Sequence, residues 1–228
     1  MHLKPLLVSL TLSLLTLQTT ASPISPSLPD PIHHHINTHT SKQKQSTTLT
    51  ESQITTIAPK STSCADAPAK DECATAKQAA KYTSQSFETY NISSKPEQAA
   101  ILSLIAFESD DFKYNKNHFP GVAGQGTRNM QSPAFNKKYA SSLPALKDKL
   151  ASVSDSPADL LDLLRADGAI DFGSAAWFMT TQCSDEVRKA LGDGSEDGWK
   201  RYISDCVGTS VTDERKAYWE RAVEALGV

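Results

Sequence analysis

At four places in this chain a Ser or Thr stands directly before a turn that carries an acid: Ser94, Ser156, Ser184 and Thr212. A hydroxyl in that position accepts a bond from an unpaired helix N–H, and the acid complements the helix dipole. Three of the four starts open onto apolar residues spaced three and four apart. They are Ala100, Ile101, Leu104, Ile105 and Phe112; Leu160, Leu161, Leu163 and Leu164; and Trp219, Ala222, Val223 and Leu226. Such spacing lines one face of a helix. Ser94 with Glu97 has the form of a capping box, and Pro157 takes the first helical position, where proline is favoured. Residues 67–90 read as a further amphipathic helix carrying Ala74, Ala80 and Phe87, and residues 171–183 as a central, mostly buried one. No period-2 strand pattern and no internal repeat accompanies them, so the fold class is mainly α. Residues 110–141 are the exception. Pro120, Gly121, Gly124, Gly126 and Pro133 break any helix there, and a loop of that length is usually functional.

The globular pattern begins near residue 61. Residues 1–21 have a basic start, a short apolar run from Pro5 to Leu15, and a small-residue exit at Ala21. That reads as a secretory signal removed after Ala21, too short to span a bilayer. Residues 22–60 are rich in Ser, Thr, Pro, Gln and His, and are expected to form a disordered leader. The cluster His33, His34, His35 and His39 reads as part of that polar stretch rather than a metal site. Residues 1–60 hold four of the 23 basic and two of the 26 acidic residues, leaving residues 61–228 with a net charge of −5. An acidic domain without a basic stripe argues against a nucleic-acid partner. A secreted, extracellular monomer without a membrane anchor is expected.

All four cysteines, Cys64, Cys73, Cys183 and Cys206, fall within the globular part. An even count in a secreted chain suggests two disulfides. Three pairings are open. Cys64–Cys73 with Cys183–Cys206 is favoured because each closes a short local loop. Asn91-Ile92-Ser93 forms an N-glycosylation sequon.

Elimination narrows the chemistry. His118 is the one histidine after residue 60, and no nucleophile elbow accompanies it. Oxidised cysteines leave no thiol nucleophile, and no His/Cys spacing suits zinc. No phosphate-binding glycine loop is present, so no metal and no cofactor are expected. Carboxylates remain. Glu108 follows Leu104 by four residues and Ile101 by seven, on the apolar face of its helix. Desolvation there favours a neutral carboxyl, which suits a proton donor to a glycosidic oxygen. The competing reading makes Glu108 a helix-end acid turned to solvent or paired with Lys113 or Arg128.

The stretch Phe107-Glu108-Ser109-Asp110-Asp111-Phe112, then Gly124-Gln125-Gly126-Thr127-Arg128-Asn129-Met130-Gln131, resembles the core signature of goose-type lysozymes and soluble lytic transglycosylases. In style it is similar to secreted fungal lysozyme-like proteins. Ala169–Phe178 resembles the small-residue helix that packs beside the catalytic acid in that family. The likeness covers roughly residues 95–183. It implies a lysozyme-like helical domain with a long active-site loop, Glu108 as general acid and Gln131 as a sugar-binding amide. Two departures stand out: Ser109-Asp110 replaces the family's Ser-Gly, and Asn129 precedes Met130.

Asp171 is the candidate second carboxylate, with helix capping as its alternative role. Tyr114, Gln125, Arg128 and Asn129 are expected to line a groove, because amides and aromatic rings suit sugars. His118 reads as a loop or groove residue, and Trp177, Trp199 and Trp219 as core. The expected function is a glycosidase cleaving β-1,4 bonds in peptidoglycan. The alternatives are a chitin- or chitosan-cleaving enzyme, or a secreted binding or effector protein without turnover.

Overall fold

The computed structural model describes residues 48–153 and 155–228. The expected signal segment and the leader up to residue 47, with its histidines, lie outside the described residues. Ten α-helices follow in order: α1 Glu51–Ile57, α2 Ala76–Thr89, α3 Lys95–Glu108, α4 Pro133–Ser141, α5 Lys147–Val153, α6 Pro157–Arg165, α7 Gly168–Gln182, α8 Asp185–Leu191, α9 Glu196–Arg201 and α10 Asp213–Leu226. A π-helical turn covers Tyr202–Val207. There is no strand among the described residues, only isolated bridges pairing Lys116 with Gly126 and Gly126 with Gln131. The chain is mainly α, with disulfides Cys64–Cys73 and Cys183–Cys206. No helix among the described residues is long and apolar enough to cross a membrane.

Helix α3 runs through the middle. Glu97 to Ala106 are all buried, so this helix packs on every side rather than along one stripe. Its neighbours are α10, α7, α1 and α8. Around it Ile101, Leu102, Ile105, Phe87, Phe172, Met179, Trp199 and Trp219 build the main core. Tyr139, Leu146, Leu160, Leu164, Trp177 and Phe178, from α4 to α7, form a second, smaller core. The three tryptophans sit in these cores as expected, Trp199 and Trp219 stacked at 5.1 Å.

Ser156, Ser184 and Thr212 accept the capping bonds read from the sequence. Ser94 precedes α3 but caps with no side-chain bond. Glu97, instead of reaching back, bonds Arg188 at 2.8 and 2.9 Å. Complete capping boxes occur elsewhere, at Thr50 with Gln53 and Thr75 with Gln78. The helix expected from residue 67 starts only at Ala76, because the Cys64–Cys73 disulfide holds the preceding residues in turns.

The expected leader boundary is also corrected. From residue 48 the chain belongs to the folded domain: Leu49, Ile54 and Ile57 are buried, and α1 packs on α10 and α2. The Gln53 amide donates to Ala225 O at 3.1 Å, and Arg221 donates to Ile57 O at 2.9 Å. Three well-placed apolar residues suffice for a seven-residue helix that its capping box starts and its neighbours hold.

Candidate functional site

Beyond Glu108 the backbone reverses sharply. Asp110, Asp111 and Phe112 take φ values of 49°, 56° and 66°, a left-handed turn made without glycine. Such a turn costs roughly 1–2 kcal/mol per residue and persists only when its surroundings fix it. The fixing contacts are present. Ser109 Oγ accepts from Phe112 N–H at 3.0 Å, and the Asp111 carboxylate accepts from Lys60 N–H at 2.8 Å and from the Tyr218 hydroxyl at 2.6 Å. Phe112 is itself fully buried against Phe172. Helix α3 therefore stops at Glu108, and Phe112 leaves the helical face that its spacing suggests.

Beneath the following loop lies Arg128, 4% exposed. It donates to Asp171 at 2.7 Å, to the carbonyls of Phe112 at 2.9 Å and Tyr114 at 3.0 Å, and to Glu72 O at 2.7 Å. Its guanidinium also lies over the Phe172 ring at 4.8 Å. Asp171 is buried in the first turn of α7, and Asn115 donates to it at 3.1 Å. Burial pushes its carboxyl above the ordinary range, against the pull of Arg128 and Asn115. These two residues form a node that ties the loop ends together. The helix cap is Asp167, which accepts from Ala169 and Ile170 N–H.

The loop closes over this node by close packing. Gly124 has φ 78°, and a Cβ there would lie 2.6 Å from the Pro157 side chain, so only glycine fits. Asn136 donates to Gly124 O at 2.8 Å and accepts from the Gln131 amide at 2.7 Å. Asn129 donates to Gln131 at 3.2 Å and accepts from Thr127 at 2.9 Å and Ser174 at 3.1 Å. The amides are thus fixed before any ligand arrives.

A cleft of about 360 Å³ opens between this loop and the helices, large enough for a small ligand or part of a chain. Glu108 and Leu104 of α3 line it. So do Gln125, Asn129, Met130, Gln131 and Ser132 of the loop, Phe135 of α4 and Phe178 of α7. Val207 and Thr209 enter from the end of the π turn, and Arg215 from α10. Arg215 donates to the Glu108 carboxylate and lies over the Phe107 ring at 4.4 Å. Phe135 and Phe178 meet edge to face at 4.8 Å. The lining thus combines an ion pair and side-chain amides with two aromatic rings.

Among the residues expected from the sequence, Glu108, Gln125, Asn129 and Gln131 converge here. Tyr114, Arg128 and Asp171 do not line the cleft. Tyr114 packs against His118 at 5.1 Å, and His118 bonds Glu72 at 2.9 Å. Asp171 as a second carboxylate is corrected: its ion pair with Arg128 is buried in the scaffold. Glu108 pairs with neither Lys113 nor Arg128, since Lys113 bonds Ser63 O and Arg128 bonds Asp171. Arg215 was not legible, because it lies 107 residues away with no motif around it. Asn91 is exposed at the end of α2, where its sequon is accessible.

Fold and cleft together define a helical, two-disulfide domain with an ion-paired, amide-rich cleft. The chain is similar to a bifunctional dioxygenase (DOX)-epoxy alcohol synthase (EAS) of Fusarium oxysporum (strain Fo5176), 41% identical over 172 residues. The matched region is 72% of this chain but 13% of that relative, so the chain spans a small part of its length. No protein-family model matches, and no solved structure matches. The relative's name describes oxidative chemistry, which overturns the expectation of a peptidoglycan-cleaving or chitin-cleaving glycosidase. The geometry agrees with that correction: Glu108 is committed to Arg215, so the apolar isolation that a proton-donor role needs is absent.

Proposed function

We propose that this domain is a secreted recognition module on a lysozyme-like scaffold, whose cleft binds a polysaccharide chain without cleaving it. The observation that carries this reading is the cleft's mixed lining. Glu108, Arg215, Gln125, Asn129 and Gln131 supply polar groups, and Phe135 and Phe178 supply ring surface. A sugar ring presents hydroxyl edges and an apolar C–H face, the complement of that arrangement. The two disulfides support a place outside the cell.

The test is calorimetric titration of β-1,4-linked N-acetylglucosamine oligomers into the full chain, beside Gln125→Ala and Phe135→Ala. Saturable binding is expected, weakened about 5- to 10-fold by each substitution. The likeness to a dioxygenase-epoxy alcohol synthase favours a second reading. In it the cleft takes an epoxy alcohol, with its hydroxyl at Glu108 and its carbon chain along Phe135 and Phe178. Binding of an epoxy alcohol with no response to the oligomers would select that reading.

A further inference from the structure

The tip of the long loop carries a feature that the cleft does not use. Phe119 is 92% exposed and Val122 43%, while every other phenylalanine among the described residues is buried or half-buried. An exposed phenylalanine gains nothing for the fold, since the apolar burial that stabilises a core is absent. The tip is nevertheless well held. Asn117 Oδ1 accepts from Gly121 N–H at 2.8 Å and from Val122 N–H at 3.1 Å. Asn117 N–H donates to Gln125 O at 3.0 Å, and Gln125 N–H donates to Val122 O at 3.1 Å. Both legs of the tip therefore close on Gln125, a wall residue of the cleft. An aromatic ring is presented on a hydrogen-bonded turn whose backbone bonds meet at a residue lining the cleft.

We infer that Phe119 is an outer platform of the same site, stacking a sugar of a glycan chain that leaves the cleft past Gln125. The inference rests on the polysaccharide reading and deepens it: the ligand is a polymer longer than the cleft, and affinity grows with chain length. A flat ring open on its faces suits the C–H face of a β-linked sugar, and its fixed turn limits the ordering cost of contact. The surroundings favour this partner over a bilayer. The buried Glu72 lies beneath His118 at 2.9 Å, the chain carries a net charge of −3, and the tip offers one ring, one valine and a single lysine, Lys116. Interfacial anchoring requires broader apolar area with Lys and Arg.

The test compares N-acetylglucosamine oligomers of two, four and six sugars on the full chain and on Phe119→Ala, Phe119→Leu and Phe119→Tyr. The expected result is a loss of about 3- to 10-fold for the hexamer with Ala and Leu. Tyr should restore hexamer affinity, and the dimer should bind all four proteins equally. Unchanged hexamer affinity in Phe119→Ala would overturn the platform while leaving the cleft reading intact. Co-sedimentation with phosphatidylcholine vesicles that Phe119→Ala abolishes would overturn it in favour of a bilayer. Failure of every oligomer to bind the wild-type chain would overturn the cleft reading, and the platform with it.

Discussion

At the scale of single residues, the decisive contrast is between two carboxylates. Both Glu108 and Asp171 meet an arginine, but Glu108 does so at a cleft and Asp171 inside the scaffold. Asp171 and Arg128 are 2% and 4% exposed, and Arg128 also supports three backbone carbonyls. Removing one charge from such a pair strands the other in a poorly solvated place. Asp171→Asn is therefore expected to destabilise the fold by about 3–5 kcal/mol, measured by urea unfolding. A change below about 0.5 kcal/mol, the size of an ordinary surface substitution, would contradict the scaffold role. Glu108, Gln125, Asn129 and Gln131 were legible because a helix face and one short motif contain them. Arg215 was not, because a partner 107 residues away leaves no local pattern. Tyr114 and Arg128 misled for the opposite reason: neighbours in sequence point to different sides of a tight loop.

Among the elements, the clearest disagreement between sequence and structure concerns α1. Its surroundings are polar and low in complexity, which hides a seven-residue helix held by three buried side chains. Periodicity cannot register so short a stripe, and the packing partners in α10 lie at the other end of the chain. Ile54 is fully buried, so Ile54→Ala is expected to cost about 2–5 kcal/mol in the full chain. A neutral result by thermal unfolding would return residues 48–60 to the leader. Capping explains why α6, α8 and α10 began where read: their signals need only the next three residues. The capping box at Ser94 failed because Glu97 found a stronger partner in Arg188, 91 residues away. The left-handed turn after α3 was illegible because neither Asp-Asp nor Phe signals it. Its conformation comes from Tyr218, Lys60 and the pocket around Phe112.

For the whole molecule, helical class was readable from short-range spacing, and the disulfide pairing found is the one that local loop closure favoured among three open ones. The arrangement of two cores around a cleft was not, because it depends on which helices meet. Cys183–Cys206 joins the end of α7 to the π turn that brings Val207 to the cleft. Its sequence separation is 23 residues. Replacing both cysteines by Ala is expected to cost about 2–4 kcal/mol and to lower Tm by about 5–15 °C. An unchanged Tm in calorimetry would show that this closure adds nothing. The region shared with the dioxygenase-epoxy alcohol synthase is 13% of that relative, and the recognition proposed for the cleft concerns this domain alone.

Recognition without cleavage is tested by titrating a β-1,4-linked N-acetylglucosamine hexamer into the full chain, with the sugar analysed for cleavage afterwards. Saturable heat of binding is expected, weakened about 5- to 10-fold in Gln125→Ala and Phe135→Ala, with recovery of intact hexamer. A folded chain that binds no hexamer, or one that binds it with no dependence on Gln125 and Phe135, would overturn the recognition role of the cleft.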